Sequence, residues 1–337
     1  MKTEKIKTIN GQKLMELELP PIRFIVNGFL PQGLHILAGA PKTGKSWMLL
    51  LLCLKVANGE KFWNLRTEQG TVLYLCLEDS TNRIQERLSE LTDSAPDNLH
   101  FATSAHSLAD DLAKQIELFV EEYPDTKLIV IDTLQKVRAS NTDGNPYATD
   151  YKDISILKNI TDKYGIAIIA VQHLRKQFDN DPHQMVTGST GLIGAADGSY
   201  VLKKEKIGDD NARLYIRGRD IEEQILTVNF DCKTKEWLFV SSDTPMDDAL
   251  KTDNAMSLLI PFIKKKQGFI GTASELSNLL GNKINPNVIT RKLSKFKYEL
   301  SGIGIEFEKS RSGERRELLI VFNPKTDNDD MTITTVS

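Results

Sequence analysis

Cysteine is scarce, with 3 in 337 residues. Cys53, Cys76 and Cys232 are far apart and form no Cys-x-x-Cys pair, which speaks against a zinc site or a disulfide framework. Cys53 and Cys76 fall in apolar runs and read as buried thiols, a usage that suits a reducing compartment. Long apolar runs are missing too. The longest, Trp47 to Leu54, is far short of the roughly 18–20 residues of a membrane span. The opening MKTEKIKTING has no apolar signal core. The expectation is a cytoplasmic protein with no membrane partner. No charge sign dominates: 43 Lys and Arg face 46 Asp and Glu, a net charge of −3. That excludes a uniformly basic nucleic-acid coat and leaves room for a local basic face. What is present is a globular balance, 40% apolar and 26% charged, too apolar for disorder. At about 150 residues per domain, the length predicts two domains.

Short apolar runs alternate with amphipathic segments from about residue 33 to 200. Residues 34–39, 71–78, 127–132 and 166–172 read as strands, and 45–58, 82–91, 108–122 and 153–164 as helices. Near-continuous Ile, Val and Leu strands between helices predict an α/β fold with a mostly parallel sheet covered on both faces. After residue 198, SYVLKKEK, ARLYIRGR, ILTVNFD and EWLFV, separated by polar turns, predict antiparallel strands at one edge of that sheet. The expected division is a first domain over 1–240, a polar linker over 241–254, a second unit over 255–322 and a disordered tail over 323–337. Residues 255–322 carry 12 Lys and Arg against 6 Glu, a local balance of +6 that leaves −9 for the rest.

Residues 39–46 read Gly39-Ala40-Pro41-Lys42-Thr43-Gly44-Lys45-Ser46. This is G-x-x-x-x-G-K-[ST] at the end of a predicted strand and the start of a predicted helix, the pattern of a phosphate-binding loop. Its glycines let backbone N–H groups turn toward phosphate oxygens, and the helix N-terminus adds partial positive charge. Lys45 would reach the β- and γ-phosphates, and the Ser46 hydroxyl would bind Mg²⁺.

Three strand ends supply partners. KLIVID ends on Asp132, placed to hold Mg²⁺ beside Ser46, partly through water. TVLYLCLED ends on Glu78 and Asp79. Glu78 is placed to polarise an attacking water, and Asp79 or Ser80 to cap the next helix. IAIIAVQHLRK ends on Gln172 and His173, either of which could hydrogen-bond the γ-phosphate. Carboxylates at two strand ends of a parallel sheet face the ligand crevice.

GLHILAGAPKTGKS, TVLYLCLEDS, KLIVIDTL, VQHLRK and YIRGRD occur in the order used by RecA-like P-loop ATPases. Over about residues 20–240 the chain resembles the RepA-type hexameric helicases of plasmids and phages, relatives of the DnaB helicases. The resemblance implies ATP and Mg²⁺ as cofactors, Glu78 as catalytic glutamate, Asp132 as metal support, and Gln172 or His173 as γ-phosphate sensor. It implies that Arg219 is an arginine finger, with Arg217 a second cation, acting on a neighbouring subunit's nucleotide. It also implies a homo-oligomeric, hexameric ring that binds single-stranded DNA on the segments after the Asp132 and Gln172 strands, residues 135–151 and 173–191. There Lys136, Arg138, Arg175 and Lys176 are candidates for phosphate contact, and Phe178 for base stacking. Surface charge with no partner is the competing reading, and Asp179 and Asp181 weaken the second segment's case.

Residues 255–322 predict three helices and a hairpin, a small α+β unit resembling a winged helix-turn-helix. Thr272-Ala-Ser-Glu275 is a capping box, and Asn285-Pro286 opens the third helix. Ile289, Leu293, Phe296 and Leu300 keep helical spacing on one side of it, with Arg291, Lys292, Lys295 and Lys297 largely on the other. Arg311, Arg315 and Arg316 lie near the hairpin tip. Such a unit contacts duplex DNA through helix and wing, or a replication protein. The function expected is an ATP-dependent DNA helicase or translocase serving a plasmid, phage or other mobile element. The alternative is a non-translocating, ATP-switched DNA-binding factor such as a helicase loader or recombination mediator. A small-molecule kinase lacks an acceptor-site signature here.

Overall fold

Alternating burial decides the architecture. In the computed structural model, which describes residues 8–17, 22–138, 146–175, 179–187, 190–204, 206, 208–243, 253–297, 300, 303–312 and 315–323, the chain divides into two compact units. One comprises residues 22–245, the other residues 1–21 with 246–337.

The larger unit opens with a two-stranded ribbon, β1 (Phe24–Val26) and β2 (Leu30–Pro31). Its main sheet has nine strands: β3 (Gly33–Gly39), β4 (Val72–Cys76), β5 (Leu99–Ala102), β6 (Leu128–Asp132), β7 (Ala167–His173), β8 (Gly198–Lys204), β9 (Asn211–Gly218), β10 (Gln224–Phe230) and β11 (Trp237–Ser242). Their order is β11-β10-β9-β8-β3-β7-β6-β4-β5. Strands β8-β3-β7-β6-β4-β5 pair in parallel, and β9, β10 and β11 extend the edge in antiparallel fashion.

Every residue of β3, β4 and β6 is buried. Successive side chains enter opposite cores. Leu34, Ile36 and Ala38 join Ile129, Ile131, Ile168 and Ala170 beneath α4 (Leu112–Glu122) and α6 (Pro146–Tyr164). Leu37, Val72, Tyr74, Val130 and Val171 join the core that buries α2 (Lys45–Asn58). Helix α2 is buried almost all round, as its run of leucines requires. On β9 the apolar side, Ala212, Leu214 and Ile216, is buried while Arg213 and Arg217 face solvent. That alternation marks an antiparallel strand covered on one face.

Two segments expected as long loops carry structure. Residues 134–137 form a helical turn, α5, and α6 already begins at Pro146. After β7, Leu174 bridges Val186, a 3₁₀ turn spans Pro182–Met185, and α7 (Thr190–Ala195) leads into β8. Strand β5, with only Leu99 buried, is not among the expected strands.

In the smaller unit, α1 (Gly11–Glu16), α8 (Met256–Lys266), β12 (Gly268–Gly271), α9 (Ala273–Leu279), α10 (Pro286–Lys295), β13 (Ile305–Ser312) and β14 (Arg315–Phe322) follow in order. The strands form an antiparallel sheet, β12-β14-β13, in which β12 adds a third strand to the expected hairpin. The capping box at Thr272 and Glu275 and the Asn285 cap are formed. Ile289, Leu293, Phe296 and Leu300 lie in this unit's core with Met256, Leu259, Leu276 and Ile320. The tail beyond residue 323 lies outside the described residues.

Candidate functional site

The site forms where the C-terminal ends of β3, β4, β6 and β7 meet α2. Gly44 caps α2 in the left-handed region (φ +95°) and offers no side-chain acceptor, so the first-turn N–H groups stay open toward an anion. Lys42 is also left-handed, at φ +62°. Ala40, Pro41 and Lys42 are exposed, while Thr43 is buried and its hydroxyl donates to the Ala40 carbonyl at 2.9 Å. The Lys45 ammonium curls over the loop, donating to the carbonyls of Gly39 (2.9 Å) and Ala40 (3.0 Å). Burial pulls its pKa below the usual lysine value, against the pull of the Asp132 and Glu78 carboxylates. A polyanion bound here would favour the charged ammonium.

Asp132, buried at the end of β6, accepts hydrogen bonds from Ser46 Oγ at 2.8 Å and Tyr74 Oη at 3.0 Å, both on Oδ2. Burial raises its pKa, and those two donors oppose the rise. A hydroxyl and a carboxylate already in register fit Mg²⁺, which takes few protein ligands and keeps its water. Among the described residues no cluster of three or more His, Cys, Asp or Glu could by itself hold a metal ion.

Glu78 lies exposed two residues past β4, and Thr133 Oγ1 donates to its Oε1 at 3.1 Å. The Leu77 N–H bonds the Asp132 carbonyl at 2.8 Å, tying these two strand ends together. Asp79 takes the structural role: it pairs with Arg83 and Arg87, while Ser80 caps α3 (Thr81–Leu91). Gln172 pairs in register with Ala38, and His173 with Gly39, beside the loop. Gln172 is 1% exposed. Its Oε1 accepts from the His173 N–H, and its buried Nε2 has no partner. An amide donor left open beside a phosphate loop is placed for a phosphate oxygen. Lys45, Ser46, Glu78, Asp132, Gln172 and His173 are therefore brought to one end of the sheet.

Arg217 and Arg219 are not with them. Gly39 registers with Leu202 on β8, and Arg217 with Ser199. At about 3.3 Å per residue, the two arginines sit about 10 to 17 Å toward the opposite end of the sheet. Strand β9 ends at Gly218, and Arg219 lies just beyond it. Arg217 pairs with Asp181 (3.0 Å) and Glu223 (2.8 Å). Arg219, more than half exposed, reaches Asp197 at 3.4 Å. Asp197 also accepts from Lys158 Nζ (2.7 and 2.8 Å) and the Leu34 N–H (3.0 Å), which against the effect of burial hold its pKa low.

Of the expected nucleic-acid contacts, Lys136 is exposed. Arg138 is not available: it clamps α6 through Asp150 and Asp153, largely buried. Arg175 is exposed and donates to the Gln184 carbonyl. Lys176 and Phe178 lie outside the described residues. In the smaller unit Arg291 is exposed, whereas Lys292 pairs with Asp253 and lies over the Phe296 ring. The side chains of Lys295, Arg311, Arg315 and Arg316 are outside the described set.

Sequence reasoning misses Trp237. Its indole donates to the Gly44 carbonyl at 3.0 Å, across 193 positions of chain. No local pattern in EWLFV announces such a contact.

A family model described as the AAA domain matches residues 2–179. Among solved structures, one ATPase domain superposes with a TM-score of 0.52 at 14% identity, covering 62% of this chain and 85% of that one. A DnaB-like replicative helicase, described with its interactions with primase, superposes with a TM-score of 0.53 at 14% identity, over 68% of this chain and 65% of that one. At such identity the likeness is one of fold. A search of curated proteins finds no match. The family model spans more than half of the sequence and includes the whole phosphate loop, and the chain belongs to the AAA domain family.

Proposed function

We propose that this chain is an ATP-dependent DNA helicase or translocase of RepA type, working as a homo-oligomeric ring in the replication of a mobile element. The observation that carries the reading is the split of the site. The loop, Ser46, Asp132, Glu78 and Gln172 gather at one end of the sheet, while Arg217 and Arg219 stand at the other, out of reach of the same nucleotide. Two surfaces that cannot meet within one copy become complementary between copies, in a head-to-tail arrangement that closes as a ring.

In this reading Lys45 and the first-turn N–H groups of α2 hold the β- and γ-phosphates, and the Gln172 amide donates to a γ-phosphate oxygen. Ser46 and Asp132 would hold Mg²⁺, which would supply positive charge to neutralise the phosphates. Glu78, held by Thr133, orients the attacking water and accepts its proton. A neighbour's Arg219, freed from Asp197, neutralises charge on the departing phosphoryl group.

The fold likeness to a solved ATPase domain and to a DnaB-like helicase supports the same reading, with single-stranded DNA as the ligand of the ring. Lys136 and Arg175, both exposed after the β6 and β7 strand ends, are the described candidates for its phosphates. The smaller unit has the helix–strand–helix–helix–strand–strand order of a winged helix, and exposed Arg291 on α10 suits duplex DNA.

The test is hydrolysis and strand displacement on forked DNA. Single-stranded DNA is expected to stimulate ATP hydrolysis, with displacement of the annealed strand. Stimulated hydrolysis without displacement would instead identify an ATP-switched DNA-binding factor.

A further inference from the structure

The antiparallel edge of the sheet takes part in the phosphate site through one side chain. Trp237, at the start of β11, is 1% exposed and among the largest fully buried side chains. Its Nε1–H donates to the Gly44 carbonyl at 3.0 Å, and the Met48 N–H donates to the same oxygen at 3.1 Å. The ring lies so close that a Cβ added at Gly44 would meet its Cζ2 at 2.9 Å. The indole is itself fixed. Trp63 Nε1 donates to the Trp237 carbonyl at 2.6 Å, Phe230 packs at 5.3 Å between ring centroids, and Lys204 Nζ lies 5.8 Å over the ring.

The peptide plane gives this contact its consequence. In a trans peptide the C=O of residue 44 and the N–H of residue 45 point in opposite directions. Two donors that hold the Gly44 carbonyl to one side therefore aim the Lys45 N–H to the other, into the loop. Gly44 lies in the left-handed region at φ +95° and, having no side chain, cannot hold that plane by itself.

We propose that Trp237 is a positioning residue of the phosphate loop, fixing the Gly44–Lys45 peptide so that its N–H points at nucleotide phosphate before ligand arrives. The inference rests on the reading of residues 39–46 as a nucleotide site. It assigns the antiparallel strands a part in binding that the loop motif alone does not contain. A pre-aimed donor saves ordering cost on binding, so the loss falls on affinity rather than on turnover.

The experiment compares Trp237→Phe with the unchanged full chain and with Lys45→Ala. Phenylalanine keeps an aromatic ring and removes the donor. The expected result is a rise in KM and in Kd for Mg-ATP of about fivefold, the worth of one net hydrogen bond, with kcat within about twofold. A mere packing defect would lower the active fraction, hence apparent kcat, and leave KM unchanged. Unchanged Kd in a folded Trp237→Phe protein overturns the inference while Lys45→Ala still abolishes hydrolysis. If Lys45→Ala hydrolyses normally, the nucleotide-site reading fails first. A second measurement removes dependence on the variant's folding. The otherwise unchanged chain carries 5-fluorotryptophan, and the three indole signals are assigned with Trp47→Phe and Trp63→Phe. Mg-ATP should shift the Trp237 signal, and a saturating addition that leaves it in place contradicts the inference.

Discussion

The two ends of the nine-stranded sheet hold their cations differently. At the phosphate-loop end Lys45, Asp132 and Gln172 are inside, each 8% exposed or less, and Gln172 keeps an open donor. At the other end Arg217 and Arg219 are outside, each leaning on acidic partners, Asp181, Glu223 and Asp197. Buried, incompletely satisfied groups are costly and point to a ligand that completes them. Exposed ion pairs contribute little to stability and exchange partners at small cost. The first end has the character of a receptor, the second of a hand extended to something else. The sheet between them keeps the ends apart while fixing both in register.

Lys45→Ala is the change expected to do most. It removes a buried cation of the receptor end, and nucleotide hydrolysis should vanish in a phosphate-release assay. Near-normal hydrolysis would erase the contrast between the ends. Arg219→Ala touches the opposite end and should separate binding from chemistry. Hydrolysis is expected to fall about 10³-fold, the lower range for a finger supplied in trans, while Mg-ATP affinity measured by titration calorimetry stays within about twofold. Loss of affinity along with activity would place Arg219 in its own subunit's site.

These contrasts are partly legible in the sequence. Strands β3, β4, β6 and β7 stand out because a parallel strand buried on both faces must be apolar throughout. The loop stands out because phosphate contact demands glycine, lysine and hydroxyl at fixed spacing. Glu78, Asp132 and Gln172 follow from their positions at strand ends. The rest is hidden for physical reasons. Strand β5 is short and half-buried, so LHFA carries no alternation to read. Arg138 resembles a free cation because Asp150 and Asp153, which hold it, reach it only once α6 packs. Trp237 resembles any core aromatic because its partner lies at the far end of the domain's sequence. Tertiary contacts assign these residues, and sequence spacing does not encode them.

A smaller effect sharpens the comparison from the sheet's interior. His35, on β3 near the arginine end, is 0% exposed and donates its Nε2–H to the Pro31 carbonyl at 2.8 Å. Burial above all lowers its pKa from 6.5 to about 4, with nearby Lys158 acting in the same direction and Asp197 against it. The unfolded chain then binds a proton that the folded chain refuses between pH 6.5 and 4. Stability from this residue is full above pH 6.5 and is lost as the pH falls through that window, by up to about 3 kcal/mol. Scanning calorimetry of His35→Asn should show a shallower decline over the same range. An unchanged slope would exclude His35 as its source.

The split itself is tested most directly by mixing two inactive proteins. Glu78→Gln lacks the Glu78 carboxylate but keeps its arginines, and Arg219→Ala has the reverse. Random assembly of equal amounts gives about one interface in four with an intact carboxylate on one side and an intact arginine on the other. A site shared between copies predicts recovery of about a quarter of the unaltered hydrolysis rate on mixing. A mixture as inactive as its two parents, with co-assembly confirmed by light scattering, would contradict it.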